Sequence, residues 1–412
     1  MSLNSVSVAL SFVLGIFSTK IISFFLGTSG MALIGSFRNF STMLKSMATL
    51  GISNSAVKLF VENKDSKSEL SVIYSTFFWL FLLVSAVIAG LTLFFAGTIS
   101  QFIFFSDSYV IPIQYFALAL PLMIINTFWL AIYNGLEKFK RIIYIQISSN
   151  IIVVGATAFL IWKQGILGGL LSVAVGEVLM VLVTLLYIGR DKSFVQFDLH
   201  KVISKKYISV IQRFALMALL SAVLAPLTLI VIRNAIVEHY SIGEAGIWDA
   251  INRLSGFYML FFTSGLSMYY MPKLASLQTD AEFKSELKTY FKTLVPLFLL
   301  MLVVIFFAKG MILKLAFTGE FNAVKDLLIW QLLGDFLRVM TLAFGFQILV
   351  KTMMKRYFFI EIVFNLSYLL LSFYLMKTHG IAGVLQAYLY ANAICLVFVL
   401  LLFRKLFSKA NR

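Results

Sequence analysis

The chain has 412 residues, of which 61% are hydrophobic and 13% charged, against roughly 45–50% and 25% in soluble domains. That balance excludes a soluble enzyme. It also excludes a nucleic-acid binder, although the formal net charge is +16, because most basic residues fall between apolar segments as positive-inside topology requires. The single Cys395 excludes an intrachain disulfide and a cysteine metal cluster.

Residues 1–19 contain no Lys or Arg to form the n-region of a cleavable signal, so the first apolar segment is expected to be a retained span. Segments long enough to cross about 30 Å at about 1.5 Å per residue recur from there on. They predict spans at 4–26, 30–58, 70–96, 110–135, 142–162, 166–189, 207–235, 244–272, 291–310, 322–350, 357–377 and 381–403. The breaks after the even spans, with the C-terminal tail, hold 22 of the 34 basic residues. The opposite breaks hold six: Lys163, Arg233, Lys309, Lys314, Lys325 and Lys377. The bias predicts that both termini are cytoplasmic and that the odd-to-even connections, such as 27–29, 163–165 and 378–380, face outward.

The basic linker at 190–206 separates six spans from six, predicting lobes at 1–195 and 196–412. Gly30, Arg38 and Gly51 of the second span have counterparts in Gly246, Arg253 and Gly265 of the eighth, at offsets of 214 to 216. Two halves of like topology are parallel repeats about an axis along the membrane normal. The predicted fold class is therefore an all-α polytopic membrane protein, with about twelve transmembrane helices in two pseudo-symmetric six-helix lobes. Of the five prolines, Pro226 lies deepest in a span, where it serves either as a tolerated kink or as a hinge.

The stretch from Leu26 to Glu62 reads as one long helix carrying Arg38 and Lys45, seven residues apart and so on one face. A charge at membrane depth costs about 2.5–3.5 kcal/mol on insertion scales unless it faces protein or water. Neither cation has an acidic residue within four positions. Lys20, Arg38 and Arg253 each lie about 10–12 Å in from the outer end of their helices, and Lys45 lies deeper. Asp249, four residues before Arg253, could pair with it. Asp335 and Arg338, three apart in the tenth span, read as a self-neutralising pair, and Glu177 stands alone in the sixth as a coupling group or an interhelical partner. Glu361 and Arg213 are close enough to inner loops to snorkel, and Lys20 could do so outward. A wet cationic cavity suits phosphate, which guanidinium binds bidentately and ammonium as a point charge, or an anionic sugar. An organic cation would call for carboxylates instead.

Three scattered histidines, His200, His239 and His379, and the lack of HExxH, GxSxG or Walker sequences argue against catalysis and ATP hydrolysis. No cofactor or metal site is expected. Gly168-Gly169 reads as a close-packing element.

The run LGTSGMALIGSFRNFSTML, continued by KSMATLGISNSAVKLFVE, resembles the second helix of Wzx-type O-antigen and enterobacterial-common-antigen flippases of the multidrug/oligosaccharidyl-lipid/polysaccharide exporter superfamily. The likeness lies in Gly27–Gly30, Phe37-Arg38-Asn39 and Gly51-Ile52-Ser53-Asn54, with Glu244–Trp248 and Tyr270–Lys273 as eighth-helix counterparts. The resemblance implies lobes around a central cavity that opens alternately inward and outward in the bacterial inner membrane. It also implies an undecaprenyl-pyrophosphate-linked glycan as the substrate, with membrane lipid and a glycan polymerase as partners. On this reading Arg38, Lys45 and Arg253 bind pyrophosphate or an acidic sugar, with Lys20, Asn39 and Asp249 beside them. Glu177, Asp335 and Arg338 are then coupling groups or structural ion pairs. The alternatives are an ion-coupled multidrug or metabolite antiporter and a lipid II flippase. A glycan polymerase or ligase is disfavoured by outer loops of about a dozen residues.

Overall fold

A computed structural model describes residues 2–49, 52–63, 66–191, 199 and 204–407. The linker residues 192–198 and 200–203, with His200 and the expected lobe boundary, lie outside the described residues, as does Gly51. The side chain of Arg213 is likewise undescribed.

The described chain is helical: α1 Ser2–Thr49, α2 Ile52–Glu62, α3 Lys67–Phe94, α4 Ala96–Phe104, α5 Val110–Gly135, α6 Phe139–Gly189, α7 Lys205–His239, α8 Ile242–Ser276, α9 Asp280–Ala316, α10 Val324–Val350, α11 Met354–Leu402 and α12 Arg404–Phe407. Among the described residues, eight helices are long and apolar enough to cross a membrane. Three of those eight contain two expected spans each. The expected outer connections at 27–29, 163–165 and 378–380 prove to be single-residue breaks, at Gly27 (φ 62°), Gly165 (φ 57°) and Gly380 (φ 61°). With ψ between −131° and −159°, this conformation is essentially restricted to glycine. The break in α6 folds its halves back along each other. A Cβ on Gly168 would meet the Leu160 carbonyl oxygen at 1.9 Å, and one on Gly176 would meet Val153 at 2.9 Å.

The same device recurs 215 residues later. Gly380 matches Gly165, and a Cβ on Gly383 would meet the Leu375 carbonyl at 2.2 Å, as Gly168 would meet Leu160. The inner turns repeat as well. Two residues beyond the ends of α5 and α10 stands a non-glycine residue of positive φ, Glu137 (58°) and Thr352 (50°). The next amide reaches back to the helix in both, Lys138 N–H to Tyr133 O and Met353 N–H to Ile348 O, each at 2.9 Å. These bonds satisfy carbonyls that a helix end leaves open.

Three boundaries differ from the sequence reading. The expected single helix over Leu26–Glu62 is α1 broken at Gly27 and ending at Thr49, followed by α2. The outer segment after α3 is not a loop, because α4 buries Ile103 and Phe104 and closes on Phe105 in the left-handed region. α9 starts eleven residues early because Thr279 and Glu282 form a reciprocal capping box. The amides of Gln278 and Thr279 hold the exposed Glu282 carboxyl below its usual range.

The chain forms two compact units, Met1–Leu26 with Leu33–Ile230, and Gly27–Ala32 with Val231–Arg412. The division falls inside α7, and the outer turn of α1 belongs to the second unit. In the first unit Phe77 and Phe81 stack about Phe128, with ring centroids 5.9 and 5.4 Å away, and Phe37 meets Phe116 at 5.7 Å. In the second, Phe344 sits 5.2 Å from Phe403, and the Tyr290 hydroxyl donates to the Val339 carbonyl at 2.8 Å. Phe94 and Phe307 are 80% and 81% exposed, as lipid-facing side chains are.

Gly165→Ala and Gly380→Ala should each destabilise the protein by about 1–3 kcal/mol, since a Cβ strains this backbone. Gly155→Ala, in a helix with nothing within 4 Å, should be neutral or stabilising by up to about 1 kcal/mol. Thermal unfolding of the purified protein in detergent distinguishes the two outcomes.

Candidate functional site

In the first unit, the half of α1 that follows Gly27 lines a cavity of about 520 Å³ with Arg38, Ser41, Thr42, Lys45 and Ser46. The spacing puts these residues on one helical face. Met123 of α5 and both halves of α6 complete the lining, with Ser149, Asn150, Val153 and Thr157 from the first half and Ser172, Gly176 and Glu177 among those from the second. Gly165 makes this possible, because its break brings the two halves of one helix to the same cavity. Asn150 donates to Ser11 Oγ at 3.0 Å, tying α6 to the half of α1 that precedes Gly27. The lining is mixed polar and apolar, as ligand cavities of about 300–1,000 Å³ are.

Lys45 is not an isolated cation. Its ammonium donates to both carboxylate oxygens of Glu177, at 2.9 and 2.8 Å, with side chains 32% and 26% exposed. Lys45, with no acidic residue within four positions, thus finds one on another helix, and Glu177 is its interhelical partner across 132 residues. No local spacing could have shown it. Arg38 lines the same cavity two turns along α1 and is half-buried. Asn39 and Lys20 are also half-buried on α1 but are not among the cavity's lining residues. The Ser149 hydroxyl, in a side chain 2% exposed, has no hydrogen-bond partner among the described residues.

The remaining candidates belong to the second unit. Arg253 on α8 directs Nη1 at the Met31 sulfur, 3.5 Å away. Asp249, one turn earlier, is within electrostatic reach of Arg233. Arg233 is corrected from an outer-loop charge to a core residue, 2% exposed, donating to Asn234 Oδ1 at 3.2 Å. α7 continues to His239, which carries Arg233 inside the helix.

Asp335 and Arg338 are not a simple pair. Asp335 is fully buried, and its carboxylate accepts from Ser255 (2.6 Å), Tyr258 (2.5 Å), Tyr388 (2.7 Å) and Gln331 (3.3 Å). Tyr388 also hydrogen-bonds Arg338, and Glu361 lies within electrostatic reach of that guanidinium. Neutral donors from α8, α10 and α11 thus satisfy Asp335, while the side chain of Arg338 is exposed. The hub ties three helices together. Sequence reasoning missed the hydroxyls because Ser, Tyr and Gln in a span carry no charge signal.

Outside the spans, Lys273 pairs with Glu286 at 2.6 Å, which holds its ammonium above the ordinary range. Lys138 meets Asp191 at 3.1 Å. No cluster of metal-ligating side chains occurs among the described residues.

A family model described as polysaccharide biosynthesis protein matches residues 1–278. The Escherichia coli (strain K12) protein named lipid III flippase is 25% identical over 391 residues, 94% of each chain. Among solved structures, "Lipid II flippase MurJ, inward closed conformation" superposes with a TM-score of 0.75 at 19% identity, over 98% of this chain and 88% of that one. An inward-facing multidrug resistance MATE family transporter of the MOP superfamily gives 0.73 at 12% identity, over 98% and 96%. These likenesses show the fold, the two-lobe all-α architecture of these membrane transporters.

Asp335→Ala should cost several kcal/mol, at about 1–3 kcal/mol for each buried hydroxyl left without an acceptor, with Asp335→Asn milder because one oxygen remains. Lys45→Met should cost less, about 1–3 kcal/mol, between the values for exposed and buried pairs, since Glu177 stays partly exposed. Chemical or thermal unfolding of the detergent-solubilised variants measures both. A large loss in Lys45→Met would make that pair structural.

Proposed function

The chain belongs to the polysaccharide biosynthesis protein family, and from that membership we propose that it is a flippase carrying a lipid-linked glycan across the bacterial inner membrane. The protein transports and does not catalyse. The finer reading is an undecaprenyl-pyrophosphate-linked oligosaccharide, moved from the cytoplasmic to the periplasmic leaflet by alternating access, with both termini cytoplasmic.

The observation that carries this reading is the cavity lined by Arg38 and Lys45 within helices of membrane-spanning length. Charge is kept at such depth only where it faces water or a partner, and it marks a substrate path. Guanidinium and ammonium together suit a diphosphate, by bidentate contact and point charge. Arg253, Lys20, Asn39 and Asp249 are proposed to meet the head group at other stages of transfer, and a glycan polymerase of the same pathway is the proposed recipient. The relative named lipid III flippase supports the substrate class, since it matches along almost the whole length of both chains.

The fold itself does not choose between this reading and a drug antiporter, because a lipid flippase and a drug transporter superpose almost equally well. The sign of the cavity chooses. Its ionisable lining is two cations and one carboxylate, which disfavours organic cations.

Arg38→Ala should abolish surface-glycan export in cells while leaving the protein at its normal level in the membrane. Export is read by glycan display and protein level by immunoblot. Unimpaired export would overturn the assignment of the cavity.

A further inference from the structure

The ionisable residues lining the first unit's cavity are Arg38, Lys45 and Glu177, so its formal charge is a single positive one rather than two. The carboxylate of Glu177 occupies Lys45 with both oxygens. Both side chains keep a quarter to a third of their surface exposed in the cavity, so a ligand can reach the pair and compete for Lys45. The buried Ser149 hydroxyl without a partner among the described residues is a second sign that the cavity is built to be filled.

We propose that Glu177 is a resident counterion that a diphosphate displaces from Lys45, so that the site selects head groups with two negative charges over those with one. The proposal rests on the reading of this cavity as the diphosphate site. A monoanion matches the cavity's single net charge and leaves the Lys45–Glu177 pair standing. Were it to replace Glu177 on Lys45, it would exchange one negative charge for another and gain nothing. A diphosphate diester carries two charges and can engage Arg38 and Lys45 together, which repays opening the pair. The released Glu177 carboxylate is repelled by the phosphates and turns to acceptor duty, taking hydroxyl or amide hydrogens from the adjoining sugar. Glu177 is thus a specificity-determining residue. It keeps Lys45 compensated while the cavity is empty and screens out singly charged lipids.

Binding of inorganic pyrophosphate and inorganic phosphate to the purified full chain, measured by titration calorimetry in detergent at about pH 5, where phosphate is singly and pyrophosphate doubly charged, tests this. The wild type should prefer pyrophosphate. Glu177→Gln should bind phosphate about tenfold more tightly than the wild type does, because Lys45 is then unoccupied and a like charge is gone. Its affinity for pyrophosphate should change less, so the preference narrows. Glu177→Asp, whose shorter side chain holds Lys45 less well, should narrow it by an intermediate amount, and serves if the Gln variant does not fold. A preference that is unmoved in both variants, or weaker binding of both anions to Glu177→Gln, would overturn the counterion role. If those variants fail while Arg38→Ala still abolishes pyrophosphate binding, the diphosphate reading of the cavity stands without it. Absence of anion binding to the wild type would overturn both.

Discussion

An ionised side chain inside a hydrocarbon layer must be met by opposite charge, by hydrogen bonds or by water, and this molecule uses all three. Asp335 is met by hydrogen bonds, from two tyrosines, a serine and a glutamine on three helices. Lys45 is met by opposite charge, from Glu177, in a cavity that leaves both partly open. Arg338 keeps an exposed side chain while Tyr388 holds it. The difference between the first two is one of reversibility. Four neutral donors around a buried carboxylate have no alternative partner of equal worth, so that arrangement fixes the helices it joins. A half-open ion pair trades partners at little cost. Buried order in the second unit and an exchangeable charge in the first are two answers to one desolvation problem.

The repeat gives that division a history in the backbone. Gly165 and Gly168 fold α6 onto itself, and Gly380 and Gly383 do the same for α11, against equivalent carbonyls of Leu160 and Leu375. Glu137 and Thr352 close the preceding inner turns alike. The framework is duplicated, and Arg38 with it in Arg253, whereas Lys45 is matched by Leu260 and the Lys45–Glu177 pair is not repeated. Glu177 would have its counterpart at Asn392, which donates to the Tyr388 carbonyl inside the core. Conserved turns with divergent interiors are what a fold needs if one half is to hold a ligand and the other to stay rigid.

Much of the fold was legible in the sequence, for physical reasons. Span positions follow from the length an apolar helix needs to cross a bilayer, and the ends of α5 and α6 fell where the apolar runs stop. The ends of the apolar runs located the turns, and the three tightest, expected to face outward, each proved to rest on one glycine. The helical segment α4 was not legible, because a short amphipathic run at a span end looks like loop when only span-length windows are weighed. The start of α9 was legible in principle, since Thr279 and Glu282 spell a capping box, but it was obscured by Lys284 and Lys288. Of the site, the presence of Arg38 and Lys45 on one face could be read from their spacing. The partner of Lys45 could not, because pairing across 132 residues is a property of the folded chain.

That partner changes what the cationic face means. Two cations on one helix, taken alone, favour any anion in proportion to its charge. With Glu177 in place the cavity is nearly balanced when empty, which spares the protein the cost of two uncompensated charges in the membrane. Affinity then depends on whether a ligand offers more charge than the carboxylate it must displace. On the proposed counterion role, selectivity arises from the cost of opening the resident pair, a repulsive element set against the wrong ligand rather than an added attraction for the right one. A transporter gains from this twice. On the proposed reading, the empty cavity would carry one net positive charge rather than two, and the loaded one would release its cargo with a replacement for Lys45 already beside it.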